Sequence, residues 1–172
     1  PRKLEYRKVN LYHTSKEEVW SMTTYSPENW GNNFAVYFNQ SKRDPGFADS
    51  LIIITYMRMN EVEKWTKSFN TTTNRSKRNS EYHDFREEKG QELITKAESA
   101  IPNLRDVMND FEVSTPLTLR DYIGADGSLY GVKKNYNSPL KSFINTRTKV
   151  PNLFLTGQNL VMHGVLGVTI GA

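Results

Sequence analysis

Cysteine is absent from this sequence of 172 residues. Its absence excludes disulfide bonds, thiolate metal sites and cysteine nucleophiles. Long apolar runs are absent as well, because the longest, at residues 51–55, is far shorter than the roughly 20 residues of a membrane-spanning helix. Residues 1–6 also lack the apolar core of a signal peptide. We therefore expect a cytoplasmic protein and leave open a peripheral contact with a membrane.

Several motifs that would mark catalytic chemistry are also missing. The histidines His13, His83 and His163 are far apart, and no pair has the spacing of metal ligands on a helix. No G-x-S-x-G pattern supports a serine nucleophile. No G-x-G-x-x-G pattern supports the binding of a dinucleotide pyrophosphate. The sequence predicts no metal site and leaves the catalytic residues unknown.

What the chain does carry is a modest basic excess, with a net charge of +4 and a pI near 9.2. Part of it lies among residues 2–8 and part in the run 75–78. Basic clusters occur in proteins that bind nucleic acid or anionic membranes. These runs are short and contain no interleaved aromatic residues, so we interpret them as solvated loops and predict no nucleic-acid partner.

Apolar patterning predicts a small antiparallel sheet. Residues 34–38 and 51–57 are rich in aromatic and β-branched side chains and lie close enough in sequence to pair. We expect residues 51–57 to form a central strand. Alternation around Val9 and Leu11 predicts a third, short strand, and alternation over residues 111–119 a fourth. The residues Asp44-Pro45-Gly46 predict a turn.

Helical periodicity is strongest between residues 81 and 101, although Gly90 weakens the middle and Pro102 ends the helix. Shorter helices are predicted after a capping box at residues 15–18 and after Asn60 with Glu63. The polar residues 70–80 predict an exposed loop. Together these elements predict an α+β fold, with helices on one face of a mainly antiparallel sheet. The apolar stripe of the long helix consists of Tyr82, Phe85, Leu93, Ile94, Ala97 and Ile101.

The C-terminal residues 151–172 follow a different pattern. Pro151 precedes a short apolar run that favours a buried strand, which Gly157 ends. Gly164, Gly167 and Gly171 are spaced three and four apart, so they share one face of the helix that should follow. A helix that opens on glycines offers N–H groups to an anion or a polarised ring. Tight packing of the helix on a sheet explains the same spacing and remains the alternative.

In these residues the chain resembles the C-terminal end of phytoene desaturase-type flavoproteins. Within that group it is most similar to the retinol saturase branch, which comprises all-trans-retinol 13,14-reductase and bacterial relatives. The resemblance is dense over about residues 114–172 and looser upstream. It rests on residues 114–118, Tyr122, and residues 127–131, 151–158 and 164–167, with upstream matches at Tyr82, Lys89 and residues 102–104.

The resemblance implies an FAD-dependent oxidoreductase, with NAD(P) left open as a second cofactor. Its substrate would be a lipid-like polyene, such as a retinoid or carotenoid, whose carbon–carbon double bonds it saturates or desaturates. Residues 1–118 would be most of a substrate-binding domain, and residues 119–172 a truncated C-terminal part of the FAD-binding domain. The chain opens on Pro1 and stops within a helix-like pattern, so we expect a fragment that is inactive and binds no FAD by itself.

The family's cofactor contacts carry over to this chain position by position. Thr156, Gly157 and Gln158 would approach the ribityl and phosphate portion of FAD. Gln158 departs from the acidic residue common in the wider amine-oxidase-like group, which puts a charged contact there in doubt. His163 is open as a general acid or as a turn histidine. Backbone N–H groups near the flavin's pyrimidine edge would come from Gly164, Val165, Leu166 and Gly167, and the candidate substrate contacts are Tyr122 and Tyr130.

The lipid substrate would need an apolar wall, which the aromatic strands can supply. Because strand side chains alternate, the face of the sheet away from the long helix should carry Tyr37 with Ala35, or Phe34 with Val36 and Phe38. We expect an exposed apolar patch there, or a second copy of the chain covering it. The competing interpretation, from another class, is a basic α+β binding module without enzymatic activity.

Overall fold

The computed structural model describes residues 3–15, 24–71, 78–124 and 126–171. The chain divides into two compact units, an N-terminal unit, Pro1–Thr118, and a C-terminal unit, Leu119–Ala172. The predicted α+β class is confirmed, since the described residues form an antiparallel sheet and several helices. The assignment of the two units to a substrate-binding and an FAD-binding domain stays a prediction.

The described part of the N-terminal unit contains a three-stranded sheet in the order β1–β2–β3, with β1 at Leu11–His13, β2 at Phe34–Gln40 and β3 at Ala48–Ile54. The predicted antiparallel pairing of β2 with β3 is confirmed. The predicted central position of residues 51–57 is wrong, because β2 pairs with strands on both sides. A tight turn at Pro45 and Gly46 returns the chain to one side of β2 and leaves the other side for β1.

Both units contain helices, and none of the described ones is long and apolar enough to cross a bilayer. The predicted long helix is confirmed as α1 (Ser80–Ala97), although it ends at Ala97, before the predicted end at Pro102. Its N-cap is Asn79, whose side chain accepts a hydrogen bond from the Tyr82 N–H. The 3₁₀ helices span Pro27–Asn29 and Met59–Trp65, and the α-helices are α1 Ser80–Ala97, α2 Leu104–Val107, α3 Pro116–Ile123, α4 Pro139–Ser142 and α5 Gly164–Ile170.

The core of the N-terminal unit lies between α1 and one face of the sheet. Phe34 and Val36 of β2 pack there with Ile94 and Ala97 of α1. A second cluster forms around Tyr82, whose hydroxyl lies 2.7 Å from the buried Thr115 hydroxyl. The predicted stripe of α1 is therefore the face that holds the unit together. The second cluster consists of Val62, Trp65, Tyr82 and Leu117.

Residues 111–119 form no strand, so that prediction is wrong. They run irregularly and then enter α3 at Pro116, whose fixed φ suits the first turn of a helix. The Thr115 N–H donates to the Thr118 hydroxyl at 3.2 Å. The alternation correctly marked Leu117 as buried, but a helix buries it.

The second 3₁₀ helix begins two residues earlier than predicted. Its N-cap is Arg58 rather than Asn60, because the Glu61 carboxylate accepts the Arg58 N–H at 2.9 Å. The capping box at residues 15–18, the helix predicted after it and most of the loop at 70–80 lie outside the described residues.

Charged residues on α1 hold the loop that precedes β2. Glu92 forms ion pairs with Lys89 at 2.9 Å and with Lys96 at 3.2 Å. The Lys89 ammonium lies 4.2 Å from the centre of the Trp30 ring, and Lys96 donates a hydrogen bond to the Trp30 carbonyl. Burial acts to raise the pKa of Glu92, but the hydrogen bonds from Lys89 and Lys96 outweigh it, so its pKa lies below the ordinary 4.5.

Replacing Glu92 with glutamine should lower the free energy of unfolding at neutral pH by up to about 1 kcal/mol, since the partners are partly exposed. Because the folded-state pKa of Glu92 is depressed, its ion pairs stabilise the fold above its ordinary pKa and are lost as the pH falls through the folded-state value. Urea unfolding at neutral and acidic pH measures this. Glu88→Gln, at an exposed position of α1, is the matched control. An equal loss at both pH values would contradict the ion-pair assignment.

Candidate functional site

The segment predicted as a buried strand, residues 151–158, forms a narrow exposed loop with residues 146–150. The Leu155 N–H donates to the Thr146 carbonyl at 2.8 Å, and the Thr148 N–H donates to the Leu153 carbonyl at 3.3 Å. Residues 151–156 are exposed, so the prediction of a buried strand is wrong. A buried strand needs hydrogen-bonding neighbours on both sides. In the described part of the chain, the only β-bridge of this segment is the isolated one between Phe154 and Arg147, so only one side of it is paired in this way.

The glycine turn after this segment is present as predicted. Gly157 has a φ of +127°, a conformation that side chains disfavour. The Gly157 carbonyl accepts a hydrogen bond from the Leu160 N–H at 3.3 Å, and Leu160 is buried. Of the two neighbours expected to approach FAD, Thr156 is exposed and Gln158 is half-buried. The turn therefore presents polar groups at its surface and one apolar anchor inside.

Lys134 holds this turn, a role that the sequence analysis did not predict. Its ammonium donates to the carbonyls of Ser142, Asn159 and Leu160, each at 2.7 Å. An ammonium has three N–H donors, so these carbonyls use all of them. Asn159 adds a link, because its side-chain oxygen accepts the Val132 N–H at 2.8 Å. A lysine beside another lysine in a polar loop ordinarily indicates a solvated charge, so the pattern could not have found this residue.

The helix predicted to open on glycines is α5, and its glycines have different surroundings. Gly164 has a φ of +75°, and a Cβ built there would meet nothing within 4 Å. A Cβ on Gly167 would lie 2.4 Å from the carbonyl carbon and oxygen of Met162. A Cβ on Gly171 would lie 3.3 Å from Cγ2 of Val161. The three glycines therefore differ in what they contact: Gly167 and Gly171 lie against the preceding turn, and Gly164 faces open space.

The start of α5 carries an unusual histidine. His163 precedes the helix, and its Nδ1 atom is buried without a hydrogen-bond partner among the described residues. Its ring centre lies 5.7 Å from that of Tyr130. A buried polar atom without a partner is costly, so this nitrogen is suited to a bound group. Tyr122, the other candidate substrate contact, lies exposed on α3.

Val165 and Leu166, whose backbone was the predicted flavin contact, are both exposed at the start of α5. The helix thus presents two large apolar side chains and one open glycine next to the buried imidazole nitrogen. A flat, largely apolar ring with a polar edge could bind such a surface. The structure brings Tyr130 beside His163, which directly precedes Gly164, Val165 and Leu166 in the chain, and it places Gly167 against the chain's own backbone.

Comparison with known proteins finds two similar reductases. The chain is 27% identical over 135 residues to the all-trans-retinol 13,14-reductase of Danio rerio, covering 76% of this chain and 21% of that protein. It is 24% identical over 142 residues to the all-trans-retinol 13,14-reductase of Macaca fascicularis, covering 77% of this chain and 22% of that protein. No family model and no solved structure matches. The chain spans about a fifth of the length of these relatives.

These relatives bear the name of the retinol saturase branch that the sequence resembles. The wider resemblance to phytoene desaturases stays a prediction, as does the expected FAD. Because the similarity covers about three-quarters of the chain, it extends well beyond the C-terminal residues in which the motifs are dense.

The structure shows which residues of β2 lie on the face of the sheet away from α1, a point that the sequence left open. Phe34 and Val36 are buried towards α1, so Ala35 and Tyr37 project from the opposite face. Their register partners continue that face, and the rings of Tyr12 and Tyr37 meet edge-on with centres 6.3 Å apart. Tyr12 and Ile52 are exposed. The predicted apolar patch is therefore present in the N-terminal unit and consists of Tyr12, Ala35, Tyr37, Ile52 and Ile54; we call it the far-face patch.

Proposed function

We propose that this chain is part of an oxidoreductase that acts on carbon–carbon double bonds of a retinoid or a related polyene lipid. The observation that carries the proposal is the similarity, over 76% and 77% of the chain, to two proteins named all-trans-retinol 13,14-reductase. By that name, the relatives reduce a double bond of retinol. We extend to this chain the same class of substrate and reaction.

The proposed cofactor is FAD, and the C-terminal unit fits its flavin end. Gly157 and Gly164 both have positive φ and leave open space where a Cβ would stand. The unpartnered Nδ1 of His163 offers a hydrogen bond to a polar ring edge. Backbone groups of Gly164, Val165 and Leu166 would hold that edge. No residues of this chain form the glycine-rich pattern that binds a pyrophosphate.

When bound, FAD supplies the hydride acceptor or donor for the double bond. The contribution of this chain is to bind and orient. The imidazole of His163 would hold or release a proton at Nδ1, next to the Tyr130 ring. Because Tyr130 is half-exposed, its ring can also contact an apolar substrate.

The far-face patch is the proposed substrate wall. A polyene has almost no polar groups, so its affinity comes from removing apolar surface from water, at about 25 cal/mol per Å². Tyr12 and Ile52 are exposed, and each lies on the same face as Tyr37. Their rings and methyl groups give an elongated apolar molecule a surface to lie along.

Flavin retention tests the proposal. We expect residues 1–172 alone to lose added FAD on dialysis, because they lack a pyrophosphate site. A protein that carries this chain within the length of the relatives should keep flavin absorbance and convert all-trans-retinol to a product two hydrogens heavier, detected by liquid chromatography and mass spectrometry. Flavin kept by residues 1–172 alone would contradict the first expectation. A long protein without flavin or turnover would favour the basic binding module.

A further inference from the structure

The charges of this chain are segregated. Acidic and basic residues balance within residues 1–118, so the net charge of +4 resides in residues 119–172. No aspartate or glutamate follows Asp126. The basic residues of that stretch are Lys133, Lys134, Lys141, Arg147 and Lys149. The C-terminal unit thus carries a positive field without acidic side chains to neutralise it over its last residues.

Within that stretch, residues 133–143, here called the docking loop, close on themselves through polar groups. The Ser142 hydroxyl donates to the Pro139 carbonyl at 3.1 Å and accepts the Asn135 N–H at 3.3 Å. The Ser138 N–H donates to the Asn135 carbonyl at 3.1 Å. Lys134 holds the end of the loop through the Ser142 carbonyl. Polar groups, including the buried Ser142, therefore fill the interior of the loop.

The outside of the docking loop carries large apolar and basic side chains beside the polar Asn135 and Asn137. Tyr136 is 88% exposed and Leu140 is 89% exposed, although side chains of this kind are ordinarily buried. Lys133 and Lys141 are exposed on the same short loop. The loop therefore buries hydrogen-bonded polar groups and exposes an aromatic ring, a leucine and two ammonium groups, the reverse of the usual arrangement.

We propose that the docking loop binds the surface of an anionic lipid bilayer. A tyrosine suits the headgroup region because its ring is apolar and its hydroxyl polar, and leucine can enter the acyl boundary below. Lysines attract anionic headgroups while their stems lie along apolar surface. The inference goes beyond the proposed function and does not rest on it, since none of these residues belongs to the proposed flavin or substrate contacts.

Charge complementarity favours a bilayer over a second copy of the chain. Two docking loops facing each other would place Lys133 and Lys141 of both copies in one interface, and like charges at an interface are unfavourable. Nucleic acid is less suited as well. Its phosphates would pair with the lysines, but Leu140 would gain nothing from contact with a charged backbone.

Sedimentation of the purified protein with phosphatidylcholine vesicles, with and without phosphatidylserine, tests the proposal. The wild-type chain should bind vesicles that contain phosphatidylserine, and added salt should weaken the binding. Lys133→Gln and Lys141→Gln should each weaken it about fivefold. The double variant Tyr136→Ser/Leu140→Ser should weaken it about tenfold or more. The matched controls Lys67→Gln and Val9→Ser, at exposed sites of the N-terminal unit, should bind like the wild type.

Three results would overturn the proposal. The first is a wild-type chain that does not sediment with vesicles containing phosphatidylserine. The second is binding that the docking-loop variants leave unchanged, or that the controls reduce equally. The third is a dimer, seen in size-exclusion chromatography, that Tyr136→Ser/Leu140→Ser dissociates, because the loop would then bind a second copy. Circular dichroism confirms that the variants fold, and flavin loading is recorded separately, so that failure here leaves the proposed function untouched.

Discussion

Replacing Gly90 with alanine should lower the free energy of unfolding of the N-terminal unit by about 2 kcal/mol. Alanine is the better helix former by about 1 kcal/mol, so helix propensity alone predicts the opposite sign. A Cβ at this position, however, would lie 2.3 Å from Cε2 of Phe111 and 2.7 Å from Cγ2 of Val113. Overpacking of this severity costs about 3 kcal/mol, which exceeds the gain in propensity.

Urea unfolding followed by tryptophan fluorescence measures this effect, since all tryptophans lie within residues 1–118. Gly46→Ala is the matched control, because its Cβ would have only an ordinary contact, 3.9 Å from a side-chain oxygen of Asp44, and its φ is not positive. The control should be neutral or slightly stabilising. A stability of Gly90→Ala at or above that of the wild type would show that residues 111–113 do not press on α1.

The sequence identified Gly90 as a weakness of α1, and the structure shows why glycine is there. Periodicity reports which face of a helix is apolar, but it does not report which segment crosses that face. Residues 111–113 do so without joining a sheet, and the Arg86 guanidinium, through Nε, donates to the Val113 carbonyl at 2.9 Å. Alternation correctly marked Phe111 and Val113 as packed, but it could not distinguish a strand from an irregular segment with the same contacts.

Around the candidate site, too, some features could be predicted from the sequence and others could not. The turn at Gly157 and the helix at Gly164 were predictable, because glycine is the residue that adopts positive φ without cost. The exposed state of residues 151–156 was not, since apolar character predicts burial but not the neighbour that provides it. Lys134 was hidden for a related reason: its three carbonyl partners come from residues 142, 159 and 160, and backbone acceptors leave no mark on a sequence.

Replacing Gly167 with alanine should displace α5 from the turn before it. The Cβ would lie 2.4 Å from the carbonyl carbon and oxygen of Met162, and a backbone carbonyl cannot move aside like a flexible side-chain tip. Moving residues 162–164 would carry His163 and the open glycine Gly164 away from Tyr130. If the flavin proposal holds, the long protein with this change should lose its flavin, and the N-terminal unit should stay folded.

Hydrogen–deuterium exchange of the peptides that cover residues 157–171 measures the displacement independently of any cofactor, and flavin absorbance after dialysis measures the consequence. Gly171→Ala is the matched control, because its closest Cβ contact would be Cγ2 of Val161, at 3.3 Å, which a small side-chain shift relieves, and the Gly167 carbonyl oxygen would lie at an ordinary contact distance of 3.4 Å. We expect Gly167→Ala to speed exchange across α5 and the control to resemble the wild type. Faster exchange with a full flavin load would place the flavin away from His163 and Gly164. Unchanged exchange would mean that α5 does not rest on the Met162 carbonyl.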